Sequence, residues 1–135
     1  MNEVKLIQLP KVFDERGNLS FIEKGNDIDF DFKRVYWIYD VPGGEIRGGH
    51  AFGKQEEIIV ALSGSFDVVL HDGIKEVHFP LNRSFTGLYV PKMYWRTMLN
   101  FSTNAVAMVL ASTFYDESDY IHDFETYLKL KRGYA

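Results

Sequence analysis

The chain has 135 residues, 46% of them hydrophobic and 25% charged, a composition that excludes a disordered or fibrous protein and predicts a single domain over residues 1–135. Its 15 Lys and Arg residues against 19 Asp and Glu give a net charge of −4 without a long basic run, which argues against DNA or RNA as a partner. The absence of cysteine excludes disulfides, thiolate zinc sites and a cysteine nucleophile.

Strands dominate the predicted secondary structure. Aromatic residues make up 16% of the chain, which favours pleated sheets, and apolar residues recur with period two or in short runs between turn residues. In chain order, strands are predicted at residues 4–9, 19–23, 33–41, 57–62, 66–70, 75–79, 86–90, 95–100 and 105–112. Gly64 and Gly73 mark tight turns at residues 63–65 and 71–73. This pattern predicts an all-β protein, a closed sandwich or jelly roll.

The carboxy-terminal segment has a different pattern. From residue 117 to residue 131 the apolar side chains follow helical spacing behind Ser118, which predicts one helix capped by that residue. The amino-terminal residues lack the basic and apolar regions of a signal peptide, and no stretch reaches the roughly 18 apolar residues of a membrane span. We therefore expect a cytoplasmic protein without a membrane partner.

Two spacing patterns resemble the motifs of the cupin superfamily. Residues 49–64 read GHAFGKQEEIIVALSG, which is similar to the first motif, His-x-His-x4-Glu-x6-Gly. The second motif is Pro-x-Gly-x2-His-x3-Asn, and residues 91–100 have its spacing. The positions of the two motifs are occupied by His50, Phe52, Glu57, Gly64, Pro91, Met93, Arg96 and Asn100. The resemblance implies a jelly-roll cupin barrel, with the predicted short helix at its carboxy-terminal end.

The motifs depart from the cupin pattern where that pattern binds a metal. Three histidines and a carboxylate converge on one divalent cation in the family pattern. Here Phe52 and Arg96 stand at two histidine positions, so only His50 and Glu57 remain of the four ligands. The fixed charge of Arg96 would also repel a cation in a pocket of low dielectric. We expect no catalytic metal.

Four further segments resemble the sugar-nucleotide 3,4-ketoisomerases, which act on dTDP-4-keto-6-deoxyglucose. They are DERG at residues 14–17, RVYW at 34–37, RGGHA at 47–51 and YDESDYI at 115–121, and the resemblance extends from about residue 14 to residue 127. It implies a homodimer that moves the keto group from C4 to C3 through an enediolate without a cofactor. The resemblance also implies that the product serves the biosynthesis of 3-amino-3,6-dideoxy sugars for surface polysaccharides such as lipopolysaccharide.

The candidate catalytic residues are His50, Arg16, Arg96 and Tyr36. Histidine can both accept and return a proton near neutrality, and His50 is the one histidine inside the motifs, so we expect it to be the base. Arg16 and Arg96 offer permanent charge to an enediolate or pyrophosphate, and the resemblance implies that this pair sets product stereochemistry. Tyr36 is expected to orient a sugar hydroxyl. The other three histidines are expected at the surface, His122 within the tail helix.

The candidate substrate-binding residues are Arg47, Lys54 and Glu57. Arg47 and Lys54 bracket His50 and would hold the nucleotide phosphates, whereas Glu57 is expected to form hydrogen bonds within the pocket and to orient the base. Residues 4–9 form an apolar strand that can cover a sheet edge of a second copy. Two other functions fit the same sequence: a nucleotide-sugar binding module without catalysis, and a dTDP-4-keto-sugar 3,5-epimerase. The gluco and galacto products both remain open.

Overall fold

The computed structural model describes residues 3–133 and contains short strands followed by one helix. The strands are β1 (Lys5–Gln8), β2 (Lys11–Val12), β3 (Leu19–Ser20), β4 (Arg34–Ile38), β5 (Arg47–Phe52), β6 (Glu57–Ser63), β7 (Phe66–His71), β8 (Glu76–Leu81), β9 (Thr86–Val90), β10 (Trp95–Leu99), β11 (Val106–Ala111) and β12 (Tyr120–Ile121). A 3-10 turn (Glu117–Asp119) precedes β12, and helix α1 spans Phe124–Lys131.

The strands form two five-stranded sheets and a small hairpin. The first sheet has the order β1-β9-β6-β11-β4 and the second has the order β12-β5-β10-β7-β8, while β2 pairs with β3. All pairings between these strands are antiparallel, and sequence neighbours repeatedly belong to different sheets. This is the arrangement of the predicted jelly roll.

The core lies between the two sheets because alternate residues of each strand point inward. On β6 Ile59 and Ala61 face the second sheet, whose Phe66, Val68 and Met98 meet them. The intervening side chains of β6 belong to a smaller cluster on the outer side of the first sheet, under residues 22–30. Strand β6 is therefore apolar on both faces, which explains its unbroken hydrophobic run.

The structure corrects several predicted boundaries. Strand β5 was absent from the predicted strands, because its two glycines and charged first residue hide its period. The predicted tail helix is interrupted: the 3-10 turn and β12 precede α1. Ser118 is not its cap, since the Asp123 carboxylate accepts the hydrogen bond from the Thr126 N–H at its first turn. His122 consequently lies before the helix, not within it.

The two predicted turns are confirmed. Gly64 has a φ angle of 66° between β6 and β7, and Gly73 has a φ angle of 102° between β7 and β8. No helix of the described chain, residues 3–133, is long and apolar enough to cross a membrane.

Candidate active site

His50 and Arg96 face each other on neighbouring strands of the second sheet. They are directly paired residues of the antiparallel strands β5 and β10, so their side chains project to the same face. The pairing register shifts immediately after Arg96. Opposite that irregularity Gly48 has a φ angle of 95°, and a Cβ atom there would lie 2.8 Å from the Arg96 carbonyl oxygen. A glycine is therefore required for the two strands to bring these side chains together.

The His50 imidazole is enclosed by aromatic rings. The ring centroids of Phe52 and Tyr120 lie 4.9 Å and 5.1 Å from that of His50. Its Nε2 atom is buried and has no hydrogen-bond partner among the described residues. Burial, with the nearby Arg96 and His122, lowers the pKa of His50 to about 3. The ring is consequently neutral near pH 7, with a nitrogen available to take a proton.

Arg96 forms a buried ion pair with Glu57 across the barrel. Its Nε atom lies 2.7 Å from Oε2 of Glu57, and the side chains are 3% and 1% exposed. The contact is between charges and is not a well-aligned hydrogen bond. Burial opposes the charged guanidinium, but Glu57 and Tyr36 outweigh it and raise the pKa of Arg96. Phe52 lies beside both site residues, with the Arg96 guanidinium 5.8 Å from its ring centroid.

Tyr36 and Gln55 complete the polar wall around this pair. The Tyr36 hydroxyl accepts a hydrogen bond from Nη2 of Arg96 at 2.7 Å and donates one to Oε1 of Glu57 at 3.1 Å. The Gln55 amide donates to the same oxygen at 2.9 Å. Burial raises the pKa of Tyr36, so its phenol stays protonated. Glu57 therefore orients Arg96. We had expected Glu57 to orient His50, but its hydrogen bonds go to Tyr36 and Gln55 instead.

Gln55 is a supporting residue that the sequence analysis missed. Its side-chain oxygen accepts hydrogen bonds from Nη2 of Arg34 at 2.8 Å and from the Thr113 hydroxyl at 2.7 Å. Its backbone N–H donates to Asp119 at 3.1 Å. The alternation of β6, extended back from Ile59 through Glu57, would have placed Gln55 on the inward side.

The remaining predicted residues lie at the surface. Arg16 has a side chain that is 90% exposed, and both ends of its guanidinium donate to Asp14 in the same turn, at 3.0 Å and 2.9 Å. Arg47, at the start of β5, and Lys54, just after it, are also exposed. The structure thus brings together His50, Arg96, Tyr36 and Glu57, and it does not bring Arg16, Arg47 or Lys54 into contact with them.

His122 is exposed, as predicted, but it precedes the helix and lies close to the site. Its ring stacks on Tyr120, with centroids 5.3 Å apart and planes 11° apart, and its centroid is 6.3 Å from that of His50. Its Nε2 atom is 2.7 Å from Oε2 of Glu117. The sequence pattern placed the start of the helix too early and so put His122 inside it. The helix in fact begins after the Asp123 cap, and His122 follows strand β12, which pairs with β5.

Two features outside this cluster bear on ligands. Among residues 3–133 no group of three or more His, Asp or Glu side chains is placed to hold a metal ion. A hollow of about 700 Å³ lies on the outer side of the first sheet, lined by Phe21, Val60, Phe85 and Met108 among others, and shares no residue with the His50 cluster.

The two packed sheets, with the unpartnered Nε2 atom of His50 beside a buried arginine, define a cupin-type barrel whose site rests on a single motif histidine. The chain belongs to the family described as FdtA, WxcM-like, C-terminal, which it matches over residues 2–132.

A curated relative and several solved structures of similar fold are sugar 3,4-ketoisomerases. The chain is 44% identical over 127 residues to the TDP-4-oxo-6-deoxy-alpha-D-glucose-3,4-oxoisomerase of Aneurinibacillus thermoaerophilus, covering 94% of this chain and 91% of the relative. A 3,4-ketoisomerase from Helicobacter canadensis has a TM-score of 0.93 at 38% identity, covering 96% of this chain and 98% of the other. The 3,4-ketoisomerase QdtA from Thermoanaerobacterium thermosaccharolyticum, a histidine-to-asparagine variant in complex with TDP-4-keto-6-deoxyglucose, has a TM-score of 0.95 at 35% identity, covering 99% and 97%. These matches confirm the resemblance and the fold inferred from the motifs.

Proposed function

We propose that this protein is a sugar-nucleotide 3,4-ketoisomerase that converts dTDP-4-keto-6-deoxyglucose into the 3-keto sugar through an enediolate. Its family and the 3,4-ketoisomerase activity of its relatives support the reaction class. The observation that carries the proposal is the buried, unpartnered Nε2 of His50 directly opposite the Arg96 guanidinium. A neutral base beside a fixed positive charge is what removal of a proton next to a ketone requires.

In this proposal His50 removes the C3 proton and later returns a proton to C4. Its low pKa in the free protein keeps the imidazole in the basic form, and the diphosphate of a bound substrate would favour the protonated intermediate. Arg96 stabilises the enediolate charge, because its guanidinium is held in place by Glu57 and Tyr36 before substrate arrives. Preorganisation of this kind costs no rearrangement during the reaction.

The peripheral residues are assigned to substrate binding. Arg47 and Lys54 carry exposed charge at the two ends of the His50 segment, where they would hold the nucleotide phosphates. Arg16 would steer product stereochemistry together with Arg96, which requires its guanidinium to exchange Asp14 for a substrate oxygen. Tyr36 is assigned to orient Arg96 and, through it, a sugar oxygen. We propose no metal and no cofactor for the reaction.

The proposed activity is tested by NMR on dTDP-4-keto-6-deoxyglucose incubated with the protein in D2O. The proposal predicts a 3-keto product and deuterium at C3 of the recovered substrate and C4 of the product. Deuterium at C5 would instead identify a 3,5-epimerase. Binding without deuterium uptake or a new ketose would identify a binding module, and either result overturns the proposal. The configuration of the product at C4 in the same spectra distinguishes gluco from galacto.

We also propose that the protein acts as a homodimer. Strands β1 and β4 lie at the two edges of the first sheet. Leu6 on β1, Trp37 on β4 and Tyr39 just after β4 are 52%, 60% and 58% exposed. Exposed apolar side chains on edge strands favour pairing with a second copy. A dimer mass by light scattering at micromolar concentration is expected, and a monomer would contradict it. The cytoplasmic location stays a prediction, which cell fractionation tests.

A further inference from the structure

The proposed isomerisation leaves one proton without an assigned carrier. Moving the keto group from C4 to C3 transfers a proton between carbons, which His50 performs, and a second proton from the C3 oxygen to the C4 oxygen. Tyr36 is poorly suited to carry the second proton. Its hydroxyl already accepts from Arg96 and donates to Glu57, and burial raises its pKa.

His122 and Glu117 form a pair at the edge of the same site. Nε2 of His122 lies 2.7 Å from Oε2 of Glu117, and the other oxygen of Glu117 accepts a hydrogen bond from the Tyr115 hydroxyl at 2.8 Å. Stacking on Tyr120 fixes the plane of the His122 ring, and Tyr120 also packs on His50. The His122 ring is therefore held by Tyr120 and by Glu117. Its centroid lies 6.3 Å from that of His50, the proposed base.

The chemistry of the pair determines which nitrogen of His122 can react. A carboxylate only accepts hydrogen bonds, so Nε2 keeps its proton toward Glu117 in both charge states of the ring. Proton transfer must then occur at Nδ1, the ring nitrogen that does not contact Glu117. A histidine held by a carboxylate on one nitrogen and free on the other is an arrangement suited to moving protons.

We propose that His122, oriented by Glu117, is the second acid–base group of the reaction and carries the hydroxyl proton between the two sugar oxygens. The inference rests on the proposed ketoisomerase function. In this cycle His122 starts with a proton on each ring nitrogen. As His50 takes the C3 proton, the C3–H electrons form the C3–C4 double bond, the π electrons of the C4 carbonyl move to its oxygen beside Arg96, and Nδ1 of His122 protonates that oxygen. Nδ1 then takes the proton from the C3 oxygen, the C3 carbonyl forms, and His50 protonates C4. Both histidines return to their starting states, so no oxidant or co-reactant is needed.

The structure provides a matched control for this pair. His78 on the edge strand β8 lies near Glu76, with Nε2 3.9 Å from Oε1. The side chains of this pair are 61% and 60% exposed, against 60% and 62% for His122 and Glu117. The two pairs have the same residue types and similar exposure, although only His122 is within hydrogen-bonding distance of its carboxylate. His78 and Glu76 are remote from β5 in the strand order. Replacing His78 therefore reproduces the loss of a surface histidine without touching the site.

The test compares His122→Gln with His78→Gln and the unmodified protein. Glutamine can keep a hydrogen bond to Glu117 but cannot transfer a proton at the Nδ1 position. We expect His122→Gln to lower kcat for ketose formation by about a hundredfold or more, the scale of general acid–base catalysis. Deuterium uptake at C3 should fall less, because His50 still removes that proton, so the ratio of C3 exchange to ketose formation rises. His78→Gln should match the unmodified protein in both rates.

Glu117→Gln supplies a second variant with a different effect. It should lower kcat less than His122→Gln does, because the imidazole remains but loses its orienting carboxylate. An unchanged kcat in His122→Gln, or a parallel fall of C3 exchange and ketose formation, would overturn the inference and leave His122 a structural residue. If the unmodified protein forms no 3-keto product, the proposed function fails. If it forms the product and His122→Gln matches it, only this inference fails.

Discussion

The inside of the barrel has a polar end and an apolar end built from the same strands. On the inward face of three strands, a polar side chain is followed two residues later by an apolar one. The steps are Tyr36 to Ile38 on β4, Glu57 to Ile59 on β6, and Arg96 to Met98 on β10. At the apolar end burial is favourable in itself, whereas a buried ion pair roughly balances attraction against lost hydration. A change at the apolar end should therefore affect stability alone, whereas removing one member of the ion pair at the polar end should affect both stability and activity.

Removal of the Arg96 charge should give the largest loss of stability. Arg96→Met leaves the 1% exposed Glu57 carboxylate without its cation, and breaking a buried pair from one side costs about 3–5 kcal/mol. Urea denaturation measures this loss, and catalysis should fail as well. The double variant with Glu57→Gln should recover part of the stability but none of the activity. A single variant as stable as the unmodified protein would contradict the burial of this pair.

A change at Ile59, two residues after Glu57 on β6 and at the apolar end, should affect stability alone. Ile59 is fully buried in the core between the sheets, so Ile59→Ala should lower the free energy of unfolding by about 2–5 kcal/mol. The kcat of the protein that remains folded should be unchanged. Ile74→Ala is the matched control, because Ile74 is 88% exposed and its truncation removes little packing. A specific loss of kcat in Ile59→Ala would show that the two ends are coupled.

The pH dependence of stability should report the burial of His50. Its pKa is about 3 in the folded chain and near 6.5 when unfolded, so the unfolded state binds the extra proton between these values. This contribution to stability is fully present above pH 6.5 and is lost as the pH falls toward 3. Thermal denaturation of His50→Asn should therefore show a shallower loss of stability over this range than the unmodified protein. Identical slopes would indicate that the ring is exposed to solvent.

Chelation should have the smallest effect. The proposed reaction uses the charge of Arg96 where cupin motifs use a metal, so dialysis against EDTA should leave kcat unchanged. Elemental analysis should find no stoichiometric transition metal. One equivalent of zinc, iron or manganese whose removal abolishes activity would contradict this prediction.

The sequence predicted the features that depend on local pattern. Period-two runs and the two glycine turns predicted the strands of the core, and the motif spacing singled out His50, Glu57 and Arg96. It did not predict that Glu57 pairs with Arg96 across the barrel, because that contact joins strands of different sheets. Strand β5 was not predicted because its glycines lower its strand propensity. Gly48 is required by a tertiary contact, its close approach to the Arg96 carbonyl, which the local sequence does not show.

The position of His122 shows a different limit. Helical spacing continues through the residues before Asp123, so periodicity alone extends the helix too far. The pairing of β12 with β5 overrides that preference and places the segment against the site. The exposure of Arg16 has a local cause, since Asp14 in the same turn holds its guanidinium.

The role of His50 as the base is tested most directly by deuterium uptake at C3 of dTDP-4-keto-6-deoxyglucose, measured by NMR for the unmodified protein, His50→Asn and His71→Asn. His71 accepts a hydrogen bond from the Gly73 backbone N–H at the β7–β8 turn. Its asparagine variant therefore controls for the loss of a histidine outside the site. His50→Asn should remain folded and lower C3 exchange by about a hundredfold or more, while His71→Asn exchanges normally. A folded His50→Asn that exchanges C3 within about tenfold of the unmodified protein would contradict the assignment of His50 as the base.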